Sequence, residues 1–287
     1  LEWVKNNYRA LPKKIKASTD STTNGATWKQ RHQYYQDRLA GIDIDKEFMT
    51  LAQLGGHLII PTDPHWPTQL DDLGLATPPA LWVVGNSQLP TPEQPSVSIV
   101  GARAATKYGL DVATRMACEL TQANVQVISG GAYGIDAAAH RGALEAVTEN
   151  EGDTLLPGTT AVIAGGMNNL YPSGNLYLFK RIVEHGGLIV SEVPPSFRPA
   201  RWRFLERNRI LAALSQATIV VEAGMRSGAI AMMNKATELH RVVGAVPGQI
   251  TSPTSVALNS RIKAGQATLI ASATDVIKAL EVNRTKE

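Results

Sequence analysis

From Arg198 to Arg209 the chain carries five arginines against one acid, Glu206, interleaved with the aromatics Trp202 and Phe204. Arginines hold phosphates through charge-assisted hydrogen bonds, and aromatic faces stack unpaired bases at about 1–3 kcal/mol each. A duplex hides its base faces, so this mixture of cations and rings suits a single strand. The competing account is an amphipathic helix start, with Trp202 and Phe204 in a core and the arginines solvated. Two glycine-containing segments offer a second kind of anion chemistry. Gly101, Ala102 and Arg103 follow one short apolar run. Ser129, Gly130, Gly131, Ala132, Tyr133 and Gly134 follow another and lead into a helical pattern at Ile135-Asp136. Glycines there let backbone N–H groups approach an anion, and a helix N-terminus adds positive potential. The spacing matches neither G-x-G-x-x-G nor G-x-x-x-x-G-K-[ST], so neither a dinucleotide fingerprint nor a P-loop is present. A tight strand-to-helix turn that uses glycine and binds nothing is the alternative.

The carboxylates are less telling. Asp136 and His140 stand four residues apart and share a helix face, a spacing compatible with acid–base work. A helix-start carboxylate and a packed imidazole are the favoured reading. Glu192 and Glu222 each follow an apolar run, where they would repel an anion unless neutralised. Arg207 or Arg209 is expected to pair with one of them, which makes these arginines partly structural. No H-E-x-x-H or Cys/His cluster supports a metal site, and Cys118, the single cysteine, excludes an internal disulfide. No cofactor is expected.

These groups must be positioned by a framework. The chain has 287 residues, 44% hydrophobic and 18% charged, enough for a large core and incompatible with global disorder. Short β-branched runs recur at 97–100, 125–128, 160–164, 188–190, 218–221, 242–245 and 267–270. Most are separated by helix-length segments with apolar residues at three-to-four spacing. That texture predicts an α/β protein, a Rossmann-like doubly wound, mostly parallel sheet with a small N-terminal helical region. Ligands in such sheets bind beyond the carboxyl ends of the strands, where the two glycine segments lie. Residues 1–25 read as a flexible basic and polar segment. Residues 26–86 read as a small region with helices at 28–39 and 45–54, followed by an extended, proline-interrupted lead-in. Residues 87–287 form the expected Rossmann-like domain, with 148–158 a surface insertion. Net charge is only +3, yet the 198–209 window alone carries +4, which points to a local anionic partner. No apolar run approaches a membrane span, and no basic-then-apolar signal opens the chain, so a cytoplasmic protein trimmed at its start is expected.

Taken in order, these segments resemble the DNA-processing protein A family (DprA, also called Smf). Ser98-Ile-Val-Gly-Ala-Arg103 is similar to its first-strand motif, and Ser129 to His140 to its S-G-x-A-x-G-I-D-x-x-A-H motif. Tyr171-Pro172, Ser191-Glu192-Val193-Pro194, Arg207-Asn208-Arg209-Ile210, Val221-Glu222-Ala223 with Ser227-Gly228, and Ala245-Val246-Pro247-Gly248 follow in the family's order. The resemblance runs from Leu58 to Ile277. It implies a non-enzymatic homodimer that binds single-stranded DNA and loads a RecA-type recombinase during natural transformation. It also implies DNA contacts at Arg103, at the Ser129–Gly131 backbone, and at Arg201 and Phe204. The expected strand lays phosphates across Gly101–Arg103 and Ser129–Gly134, with Phe204 or Trp202 stacking on a base. Tyr133 departs from the family's usual Arg or small aliphatic residue there. Ala229-Ile230-Ala231-Met232-Met233 departs from its small-hydroxyl pattern, which argues against a ligand role in that stretch. The N-terminal helical region is shorter than usual, and no room is left for an appended winged-helix module. A nucleotide-derivative hydrolase and a small-nucleotide sensor are the alternatives; the hydrolases' P-G-G-x-G-T-x-x-E run is absent.

Overall fold

All seven expected runs become strands, the last, near 267–270, shortened to two residues. The computed structural model describes residues 43–85, 88–150 and 156–284. The flexible segment at 1–25 and the helix expected at 28–39 lie outside the described residues, as do 151–155 of the expected insertion. The chain divides into Leu1–Phe48 and Met49–Glu287. Helix α1 (Ile44–Gln53) begins in the first and ends in the second.

The second unit is built on nine strands. In chain order these are β1 (Gly56–Ile59), β2 (Leu81–Gly85), β3 (Ser96–Val100), β4 (Gln126–Ser129), β5 (Thr160–Val162), β6 (Leu188–Ser191), β7 (Ala217–Val220), β8 (Val242–Ala245) and β9 (Thr268–Leu269). Their helices are α2 (Lys107–Gln122), α3 (Ile135–Thr148), α4 (Leu176–Glu184), α5 (Arg201–Leu214), α6 (Gly228–Glu238), α7 (Val256–Lys263) and α8 (Ala273–Arg284). The spatial order is β1-β2-β6-β5-β4-β3-β7-β8-β9. All neighbours from β6 to β9 run parallel, while β2 pairs antiparallel with both β1 and β6. The lead-in is therefore an edge of the same sheet, and the boundary expected at 86/87 falls inside its hydrogen bonding. Trp82 opposite Ser191 and Gly85 opposite Leu188 fix that register.

Strand alternation sends apolar side chains to both faces, as a sheet covered on two sides requires. Val97, Ile99, Val127 and Ile219 pack with Ala113, Leu120 and Ile135 of α2 and α3, and with Val276 of α8. Val100, Ile128, Val162 and Val220 pack on the opposite face with Ile210, Leu211 and Met232 of α5 and α6. Ser96 and Ser98 fall on this second face, and their hydroxyls donate to the Leu214 and Leu211 carbonyls near the end of α5. Those bonds satisfy carbonyls that a helix end leaves without partners. From β3 the chain winds outward through β4, β5 and β6, then returns to place β7 on the other side of β3. The crevice beyond the carboxyl ends of β3 and β7 is thus the switch point where such folds bind ligands.

Candidate nucleic-acid interface

A cavity of about 940 Å³ opens at that switch point. Gly101, Ala102 and Arg103 form one wall, α5 a second, and the loop from β7 to α6 a third. The α5 wall includes Arg201, Phe204, Leu205 and Asn208, an i, i+3, i+4, i+7 stripe that one helix face must present together, with Arg207 and Leu211 deeper in. Arg103 lies over the Phe204 ring, 5.2 Å from its centroid. Tyr171 meets the same ring edge-on at 5.7 Å. Arg103, Arg201 and Arg226 all line the cavity with exposed side chains. Among the described residues none of the three has an acidic partner.

The three-glycine loop is closed, which corrects the expectation of an open phosphate cradle at Ser129–Gly131. Its anion is the chain's own. Asp136 accepts from the backbone N–H groups of Gly101, Gly130 and Ala132. Arg207 covers Gly130 from above: a Cβ there would lie 2.6 Å from Arg207 Nη2 and 2.6 Å from Asp136 Oδ2. Burial raises the Asp136 pKa, with the Arg207 charge and the N–H donors opposing that rise. The same burial lowers the Arg207 pKa to about 10, which Asp136 opposes and Arg103 reinforces. Ser129 donates its hydroxyl to the Ile99 carbonyl at 2.6 Å. Gly131 (φ 71°) lies against the Phe179 ring. Asn175 ties the loop down by donating to the Gly131 and Ala132 carbonyls. Gly134 seats on the Ala102 and Arg103 carbonyls, so the two glycine segments are locked together. Tyr133 stays exposed at the rim, its hydroxyl accepting from the Gly174 N–H.

The remaining arginines of the 198–209 window serve different ends. Arg209 forms a two-pronged pair with Glu192, at 3.0 and 2.5 Å, and donates to the Ala76 and Glu206 carbonyls. Arg207 is buried and donates to the Val162 carbonyl. Both are held by the protein itself, as their expected structural part requires. Trp202 is exposed but absent from the cavity wall, because it stands two residues from Phe204 and so points away. It flanks Arg203, whose guanidinium lies 5.0 Å from the Trp202 ring and 5.1 Å from that of Phe197.

The expected pairing of Arg207 or Arg209 with one of the two glutamates is found between Arg209 and Glu192. Glu222 is buried and accepts from the Thr106 N–H at 2.9 Å, the Thr106 hydroxyl at 2.7 Å and the Thr254 hydroxyl at 3.2 Å. Its carbonyl also accepts from the Ala102 N–H at 2.7 Å. Both ends of the arginine loop are therefore pinned to one residue. Glu222→Ala should lower stability by about 2 kcal/mol, since a part-buried N–H and two hydroxyls lose their acceptor. Urea unfolding measures this, and a loss below about 0.5 kcal/mol would refute the pinning.

Sequence reasoning missed Tyr171, Leu205, Met225, Arg226 and the start of α6, all of which line the cavity. The stretch 229–233, read as without a ligand role, supplies Ala229 to Met232 to that wall. The rule that examined the loops after the other strands, applied beyond Glu222, reaches Arg226 four residues on. Among the described residues no three His, Cys, Asp or Glu side chains cluster, and no helix is long and apolar enough to cross a membrane.

Residues 57–281 match the family model of DNA recombination-mediator protein A. The chain belongs to that family. It is 42% identical over 238 residues to a Mycobacterium tuberculosis protein assigned as DNA processing protein DprA, covering 79% of this chain and 58% of that protein. The chain thus spans less than two-thirds of that relative. The X-ray structure of DNA processing protein A from Streptococcus pneumoniae superposes with a TM-score of 0.72 at 31% identity, covering 96% of this chain and 89% of that one. A Helicobacter pylori DNA processing protein A, described for its single-stranded DNA binding mode, superposes with a TM-score of 0.67 at 27% identity. That match covers 79% of this chain and 96% of the other. Both structures share the doubly wound, mostly parallel architecture of this member of the DNA recombination-mediator family.

Proposed function

We propose that this chain binds single-stranded DNA in the switch-point cleft, without chemical turnover, and passes it to a RecA-type recombinase during natural transformation. The observation that carries this reading is the convergence of three arginines, none with an acidic partner among the described residues, with the Phe204–Tyr171 ring pair in one cavity. A mononucleotide needs one or two cations, whereas a strand tracking along a groove uses several with rings between them. Membership of the mediator family and the strand-binding H. pylori relative support the same reading. Absence of turnover is supported by how the acids are spent. Asp136 is the one acid on the described cavity wall, and its oxygens face backbone N–H groups. Glu192 and Glu222 are likewise occupied. A cytoplasmic homodimer completes the proposal, because a recombinase and its incoming strand meet there.

The strand contacts are Arg103, Arg201 and Phe204, with Gly101 and Ala102 presenting the first arginine. Gly130, Gly131 and Gly134 hold that wall in place and do not touch phosphate. Fluorescence anisotropy of labelled single-stranded and duplex oligonucleotides across a salt series tests this. Arg103→Ala and Arg201→Ala should each weaken single-strand binding and reduce the salt slope by about 0.7, the counterion release of one phosphate. Phe204→Ala should cost about 1–3 kcal/mol of affinity at an unchanged slope. Equal affinity for both strand forms, or wild-type slopes in both arginine variants, would place the function elsewhere.

A further inference from the structure

The cavity is larger than the part that Arg103 and Phe204 define. At about 940 Å³ it stands at the top of the ~300–1,000 Å³ range that accommodates one drug-sized ligand. Its lining continues past α5 to the β7–α6 loop and the first turns of α6. This second arm has its own chemistry. Met225 is 65% exposed and Leu205 58%, two large apolar side chains from different walls of one cavity. Arg226, next to Met225, is exposed and has no hydrogen-bond or ion-pair partner among the described residues. In the floor, Arg207 is only 5% exposed, and its Nε has no partner among the described residues. Asp136, the one acid on the described cavity wall, is turned onto the backbone N–H groups of Gly101, Gly130 and Ala132 beside Arg207.

The arm therefore repeats the pattern of the first: a cation beside a broad apolar face. Phosphate and base alternate along a strand in the same way. We propose that the Met225–Arg226 arm is a second nucleotide subsite, in which Arg226 holds a phosphodiester and Met225 and Leu205 receive the base. This rests on the single-strand reading above. An isolated phosphate would use Arg226 and leave the apolar faces wet. A purely apolar ligand would leave three arginines unpaired. A nucleotide step satisfies both.

The test uses Arg226→Gln and Met225→Ala in the full chain, with Arg103→Gln as reference, against oligothymidylates of graded length over a salt series. Arg226 and Met225 are exposed, so neither substitution opens the core. Arg226→Gln should weaken the shortest oligomer that binds less than Arg103→Gln does. It should weaken longer ones about threefold or more and reduce their salt slope by about 0.7. Met225→Ala should weaken the longer oligomers at an unchanged slope. If Arg226→Gln matches wild type at every length while Arg103→Gln still weakens binding, the second subsite is refuted and the strand reading stands. If Arg103→Gln is equally silent, or wild type shows no single-strand preference, the strand reading falls and the subsite falls with it.

Discussion

Gly134→Ala is expected to destabilise the protein by about 3–5 kcal/mol and to abolish binding in whatever fraction still folds. Gly134 sits at φ 75°, ψ −126°, a region that side chains reach only at a cost of about 1–3 kcal/mol. The added Cβ would also stand 2.5 Å from the Arg103 carbonyl oxygen and closer still to that of Ala102. Relieving that overlap adds an overpacking cost of about 1–3 kcal/mol. It also has a direction: the atoms that must retreat are the backbone of Ala102 and Arg103. The cleft's first cation would move with them, so stability and binding should fail together. Gly224 is the control, since it has ordinary φ and nothing within 4 Å of a built Cβ. Gly224→Ala should stay within about 1 kcal/mol of wild type. Urea unfolding of both variants decides the matter, and a Gly134→Ala loss below 1 kcal/mol would show that the two glycine segments are not locked.

The parallel strands β3 to β7 were legible because each is a short, largely apolar run, buried throughout, with a helix to its next neighbour. β1 and β2 were not. Their runs are short, prolines surround them, and the partner that makes β2 a strand is β6, about a hundred residues later in the chain. At the site, the strand-end rule pointed to Arg103, which lines the cavity, and to the glycine loop behind it. What it could not show is which anion fills the loop. Asp136 stands within one turn of the glycines and reads as an ordinary helix-start acid, yet folding turns it back onto their N–H groups. The arginine window was divisible in advance. Helical spacing from Arg201 separates Phe204, Leu205 and Asn208 from Trp202 and Arg209, and so separates the cleft-facing cation from the tethered one. Arg207 needed the tertiary structure, because its burial depends on Val162 and Asp136 from distant strands and helices.

His140 is expected to make the fold sensitive to acid. It is fully buried on α3, and its Nδ1 lies 2.8 Å from Thr159 Oγ1. The Thr159 hydroxyl donates its one proton to the Val127 carbonyl, also at 2.8 Å. Thr159 must therefore accept from Nδ1–H, which fixes a neutral imidazole with a bare Nε2; that nitrogen has no partner among the described residues. Burial, reinforced by the charges of Arg207 and Arg141, lowers its pKa from the ordinary 6.5 to about 3. As pH falls through 6.5 the unfolded chain takes up the proton while the folded protein does not, so stability is full above that pH and declines toward about 3. Each pH unit in that window costs about 1.4 kcal/mol, and the whole window about 5 kcal/mol, comparable with the total stability of many domains. His140→Gln removes the titration at a cost of about 1–3 kcal/mol near neutrality, from imperfect hydrogen bonding in the same space. Urea unfolding at graded pH should thus show wild type more stable near neutrality, the two curves converging below pH 6.5, and the variant more stable in stronger acid. Parallel curves would mean that His140 is not the group linking protons to folding. Because α3 opens at Gly134 and carries Asp136, acid that unseats His140 removes the floor on which the cleft's first arginine is mounted.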